Sequence, residues 1–70
     1  MSIVKVVEVI ATSDKSFSDA AQNAVNEAAR TGGQVKSVYI QEMNGKVTDN
    51  KITSFGVNAK ITFHEEELVE

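Results

Sequence analysis

Ser16-Phe17-Ser18-Asp19-Ala20-Ala21-Gln22-Asn23-Ala24-Val25-Asn26-Glu27-Ala28-Ala29-Arg30 decides the fold of this chain. Phe17, Ala20, Ala21, Ala24, Val25 and Ala28 recur at the three-and-four spacing of a single helical stripe, while Ser18, Asp19, Gln22, Asn23, Asn26 and Glu27 fill the opposite face. The spacing predicts one amphipathic helix from about Ser16 to Arg30, and its apolar stripe needs a sheet to cover it. Ser16 is the expected N-cap, with Ser13 its rival, and Asp19 stands where a carboxylate can reach back and complement the positive helix end. At the other end Arg30 suits the negative end, and Thr31-Gly32-Gly33 supplies a residue able to take positive φ. Four alanines in the stripe leave little side-chain bulk, so the sheet can lie close to the helix axis.

Before the helix, Ile3 to Ala11 is β-branched and nearly all apolar, broken by Lys5 and Glu8, which suits a strand with both faces at least partly covered, the second by local packing or, as the small size favours, by a neighbouring copy. After it, a strand from Val35 to Met43 and another from Ile52 to His64 are separated by two turn signals, Asn44-Gly45 and Asp49-Asn50, either of which can make the hairpin. In the last strand Phe55, Val57, Ala59, Ile61 and Phe63 share the face expected to meet the helix. With Val38 and Ile40 also turned to the helix, the outer face carries Ser37, Tyr39, Gln41 and Met43 beside Gly56 and Asn58. The order β-α-β-β closes most simply with the third strand in the middle, antiparallel to both neighbours. The expectation is an α+β fold, a three-stranded antiparallel sheet wrapped around one helix. It forms a single domain over residues 1–70, whose acidic tail, 65–70, has the composition of a solvated, disordered segment.

A domain of 70 residues removes only about 60% of its unfolded-chain surface from water. Small domains gain support from disulfides, metal or association. The chain has no cysteine and one histidine, His64, which excludes disulfides and Cys/His zinc sites and leaves association. The net charge of -3 and the scattered Lys5, Lys15, Arg30, Lys36, Lys46, Lys51 and Lys60 form no phosphate-binding patch, so nucleic acid is not the expected partner. Met1-Ser2-Ile3-Val4-Lys5 lacks the pattern of a secretory signal, and no run reaches the ~20 apolar residues of a membrane span. The expected location is cytoplasmic.

Three stretches together resemble the dodecin family: Lys5-Val6-Val7-Glu8-Val9-Ile10-Ala11-Thr12-Ser13-Asp14-Lys15-Ser16-Phe17, the alanine-rich run from Ala20-Ala21 to Ala28-Ala29-Arg30, and Val57-Asn58-Ala59-Lys60-Ile61-Thr62-Phe63. The likeness spans residues 3 to 64. It implies a hollow homododecamer that stores or sequesters flavin, riboflavin or FMN, in symmetry-related pairs between subunits without turning it over. It also implies a tryptophan on the second strand stacked on the flavin ring and a glutamine on the third that hydrogen-bonds the ring edge. Those positions fall at Ser37 and Gly56, and the chain contains no tryptophan. Aromatic stacking is worth about 0.5–1.5 kcal/mol beyond area burial and an unsatisfied ring edge costs about 1–3 kcal/mol, so losing both weakens flavin binding roughly 10- to 10³-fold.

The candidate cofactor-binding residues are accordingly Ser37, Tyr39, Gln41 and Gly56, with Tyr39 near a symmetry axis offering an aromatic slot, or else filling an interface as aromatic residues do. Catalysis is not expected. Ser13, Ser16 and Ser18 read as capping residues with no histidine near in sequence, Asp14 and Asp19 answer the helix end, and no phosphate loop or paired catalytic signature occurs. The alternative to flavin is a flavin-free assembly that binds divalent cations such as calcium, or serves as a scaffold. Asp14, Asp19, Glu42, Asp49, Glu65, Glu66 and Glu67 supply oxygen ligands without EF-hand spacing, and no particular metal-binding set can be named. That alternative expects calcium to raise the melting temperature of the whole chain and not that of a chain ending at His64; an unchanged melting temperature removes it.

Overall fold

The computed structural model of the chain describes residues 2–31 and 33–66. Four elements follow in order: β1 (Ser2–Ser13), α1 (Phe17–Arg30), β2 (Val35–Thr48) and β3 (Lys51–Glu66). The strands form one antiparallel sheet in the order β1-β3-β2, with β3 in the middle as expected. Each strand runs beyond the span read from the sequence, β2 by the largest margin. The backbone of β3 continues past His64 to pair Glu65 with Ile3 and Glu66 with Ser2. Gly32 and residues 67–70 of the acidic tail lie outside the described residues, as do the side chains of His64, Glu65 and Glu66.

Local chemistry sets the helix ends. The Ser16 hydroxyl accepts the Asp19 backbone N–H at 2.9 Å, which makes Ser16 the cap. Its rival Ser13 has a different task. The Ser13 hydroxyl donates to the Asp19 carboxylate at 2.6 Å and accepts the Lys15 backbone N–H at 2.9 Å. Asp19 thus ties the end of β1 to the first turn of the helix. Asn23 adds a second tie, its Nδ2 donating to the Thr12 carbonyl at 3.0 Å. At the C-terminus Thr31 stays right-handed and its hydroxyl donates to the Ala28 carbonyl, while Gly33, at φ +114°, makes the turn. The Arg30 guanidinium bonds the Glu27 carboxylate on the exposed side; that hydrogen bond, and then its charge, hold the Glu27 carboxyl below its usual range.

The core is small because the helix stripe is small. Ala24 and Ala28 pack in one buried cluster with Ala59, Ile61 and Phe63 of β3, Val9, Ala11, Val35 and Ile40 lie against it, and Ala20 and Val57 are buried as well. Phe17 closes one end, edge-on to Phe55 at a centroid distance of 5.0 Å. The expected helix-facing set on β3 is the observed one, and Ile40 joins it. Val38 pairs with the core residue Ile61 but stays half exposed at the sheet edge.

The hairpin turn is Asp49-Asn50, with φ of 54° and 64°, the two-residue turn whose twist matches the flanking strands. Asn44-Gly45 lies inside β2. A Cβ on Gly45 would approach Ile52 Cγ2 to 3.0 Å, so the glycine serves close packing there rather than a turn. β1 ends opposite Phe55, so the ladder from Lys46 to Ser54 stands as a two-stranded arm beyond the body. The radius of gyration is 14.8 Å, against about 11 Å for a compact chain of this length.

Ala24→Leu is expected to overpack the helix contact and cost about 1–3 kcal/mol in chemical denaturation, whereas Ala29→Leu on the exposed side stays within about 0.5 kcal/mol. Ser16→Ala is expected to cost about 1 kcal/mol through the lost cap.

Candidate functional site

The outer face of the sheet, turned away from the helix, is laid out by the pairing register. Four rows cross it from β1 through β3 to β2: Val6, Thr62, Ser37; Glu8, Lys60, Tyr39; Ile10, Asn58, Glu42; and Thr12, Gly56, Asn44. The third row would hold Gln41 if β2 alternated regularly. Instead the pairing jumps from Ile40–Ala59 to Glu42–Asn58, so Gln41 is the extra residue of a bulge, exposed and without an opposite number on β3. The alternation restarts one residue late. Met43, expected on the outer face, therefore lies opposite Val57 on the helix side, and Glu42 and Asn44 take outer positions that the sequence pattern did not assign them. A second bulge at Lys36 interrupts the same strand, and a register shift beside Lys46 leaves Thr53 of β3 as the extra residue.

Ser37 and Tyr39 sit two residues apart on this face. The Ser37 hydroxyl is hydrogen-bonded to that of Thr62, and Tyr39 is 66% exposed opposite Lys60. Gly56 does not join them. Ser37 faces Thr62, and six residues of β3 separate Thr62 from Gly56, a span of about 20 Å at the strand rise. One copy cannot place Ser37 and Gly56 on the same ring.

The space at Gly56 is also taken. The Asn44 side chain lies over it, with Oδ1 3.0 Å from where a Gly56 Cβ would stand, and Gly56 is buried. Asn58, in the next row, carries the one buried polar side-chain atom among the described residues without a hydrogen-bond partner, its Oδ1. Sequence reasoning placed Asn58 on this face without giving it a role, and it missed Asn44 by reading Asn44-Gly45 as a turn.

Apolar surface borders the polar lanes. On β1, Ile10 is 77% exposed, and Val4 and Val6 are more than half exposed. On the helix side, Met43 before the arm and Val47 and Ile52 on it are half exposed or more, Val47 and Ile52 being directly paired. Among the described residues no cluster of His, Cys, Asp or Glu is arranged to hold a metal ion, and Asp19 is engaged by Ser13. No described helix is long and apolar enough to cross a membrane.

A sequence model of the dodecin family matches residues 3–66. Among solved structures, the dodecin from Streptomyces coelicolor is 27% identical, with a TM-score of 0.83, each chain covered to 96%. The dodecin from Streptomyces davaonensis is 24% identical over 94% of this chain and 97% of its own, also at a TM-score of 0.83. A single-residue variant of the Thermus thermophilus dodecin is 24% identical over 96% of this chain and all of its own, at 0.85. No curated protein sequence matches the chain.

Gly56→Ala is expected to push the exposed Asn44 side chain aside at a cost below about 1 kcal/mol. Gly33→Ala forces a Cβ into positive φ and to 3.1 Å from the Phe63 ring, and is expected to cost about 1–3 kcal/mol. Denaturant midpoints of the two variants check the difference.

Proposed function

This chain belongs to the dodecin family, and from that membership and its exposed sheet face we propose that it is a homo-oligomeric binding and storage protein, most simply a dodecamer, that holds a planar ligand between copies without chemical turnover. Flavin, riboflavin or FMN, is the ligand the family suggests. The observation that carries the reading is Tyr39. It stands 66% exposed on the outer face of a protomer too elongated and too thinly cored to stand alone. A second copy brought against this face by a two-fold axis would pair the two tyrosines into a slot for a flat ring.

Ser37, Tyr39, Gln41 and Gly56 keep their roles as candidate site residues in this reading, with contributions from different copies. Ser37 offers a hydroxyl where a larger aromatic platform would otherwise sit, so stacking falls to Tyr39 alone. A phenol is a smaller platform than an indole, and binding is weaker than a tryptophan-lined site would give. The oligomer is supported by the uncovered valines and Ile10 of β1 and the apolar side of the arm, since contiguous apolar surface of this kind marks interaction sites. The cytoplasm, with its free flavin, suits such a carrier.

Native mass measurement is expected to find a closed oligomer at micromolar concentration, and riboflavin or FMN fluorescence is expected to be quenched on titration. Tyr39→Ala is expected to weaken binding by about tenfold or more. A monomer, or quenching absent up to about 100 μM ligand, overturns the reading.

A further inference from the structure

We propose that Asn44-Gly45, at the root of the two-stranded arm, is a latent deamidation site, held shut while β2 and β3 are paired there and opened to modification when the arm unzips.

The chain has five asparagines, and only Asn44 is followed by glycine. Asparagine is among the chemically labile residues of proteins. A glycine after it leaves the attacking nitrogen unshielded and the backbone free to bend. In the reaction the Gly45 backbone nitrogen attacks Asn44 Cγ. The N–Cγ bond forms, the Cγ–Nδ2 bond breaks, and the amide leaves as ammonia, taking up the proton that the Gly45 nitrogen loses. Solvent water then opens the five-membered imide. Attack at Cγ gives aspartate, and attack at the Asn44 main-chain carbonyl gives isoaspartate.

Packing keeps the glycine in place. A Cβ at position 45 would stand 3.0 Å from Ile52 Cγ2 and 3.2 Å from the Ser54 carbonyl oxygen, so a shielding side chain does not fit. The reacting amide is free. Asn44 is exposed, its carboxamide rests over Gly56 by contact alone, and among the described residues its side chain has no hydrogen-bond partner. What blocks the reaction is the backbone. Ring closure needs Cβ of Asn44 and the nitrogen of Gly45 eclipsed about the Cα–C bond, and an extended strand, with ψ about +135°, holds them far from that arrangement. The pairs Asn44–Gly56 and Gly45–Phe55 keep the strand extended.

Those pairs stand at the weakest point of the ladder. Ser13, Phe55 and Gly45 form the last row that all three strands share, and beyond it β2 and β3 have only each other. A two-stranded ribbon is marginal in water, and Val47 and Ile52 leave at least half their surface exposed. Opening of the arm with the body still folded is therefore the least costly way to free the Asn44 backbone. The change runs one way. Aspartate adds a carboxylate to the face that carries Glu42, and isoaspartate adds a methylene to the β2 backbone, so that the residues beyond it no longer match β3.

The test ages the purified full chain in mildly alkaline buffer and follows each asparagine by peptide mapping and mass spectrometry. In the unfolded chain, in concentrated urea, Asn44 is expected to deamidate faster than the other four asparagines. Folding is expected to slow it by about tenfold or more, since the rate follows the population of the open form. Asn50→Ala, which removes a residue suited to the φ of 64° at the arm tip, is expected to speed the folded protein about threefold or more. Ser16→Ala, which weakens the body through the helix cap, is expected to stay within about twofold of the native rate. An Asn44 that is stable in the unfolded chain, or that reacts equally fast folded and unfolded, overturns the proposal. So does an Asn50→Ala protein that ages no faster than the native one, or a Ser16→Ala protein accelerated as much as Asn50→Ala, because the opening is then not that of the arm. None of these readouts involves a ligand, so the proposed function stands or falls separately.

Discussion

The close packing of Ala24 and Ala28 against Ala59, Ile61 and Phe63 sets the terms for everything else in the molecule. Small residues on the helix let it lie near the sheet, and close approach makes the contact good but not large. Methyl groups hide little area, and hydrophobic stabilisation scales with the area hidden at about 25 cal/mol per Å². A single short helix also cannot span three strands of 12 to 16 residues. The strands outrun their cover, and the surplus surface is what the proposed assembly would cover.

The sheet manages that surplus through its register. β3, paired on both sides, alternates cleanly from Phe55 to Phe63 and keeps Val57, Ala59, Ile61 and Phe63 dry. β2 is an edge strand and carries the extra residues Lys36 and Gln41, while the irregularity beside Lys46 leaves Thr53 of β3 without an opposite number. Bulges on an edge discourage indiscriminate strand pairing and re-aim side chains. The one at Gln41 exchanges the faces of everything that follows, moving Met43 to the helix side and turning Glu42 and Asn44 outward. The polar character of the outer face is in this sense a product of one inserted residue.

Much of this was legible in the sequence. The helix stripe, the Ser16 cap, the strand order and the helix-facing set of β3 all follow from periodicity and end chemistry, because each is a local pattern repeated several times over. Two features were not. The bulge at Gln41 has no signature in residue type, since an extra residue is defined by what it fails to oppose on another strand. The turn was ambiguous because Asn44-Gly45 is as good a hairpin signal as Asp49-Asn50 when read locally. The choice is made by packing: Gly45 is required beside Ile52 and Phe17, and Phe55 must pair with Ser13 to complete β1. The site suffered most, since Asn44 lay in one of two competing turn signals, beyond the expected end of its strand at Met43, and its side chain is what fills the space at Gly56.

The arm beyond Phe55 carries a thermodynamic consequence. A two-stranded ribbon with Val47 and Ile52 facing solvent has no interior of its own, and isolated ribbons are marginal in water. In the proposed oligomer its ordering is bound to association by mass action, so the free energy that keeps the ribbon straight belongs to a population of molecules. Dilution of that oligomer would act on the ribbon as a mild denaturant, and abundance in the cell would become one of the forces that fold it.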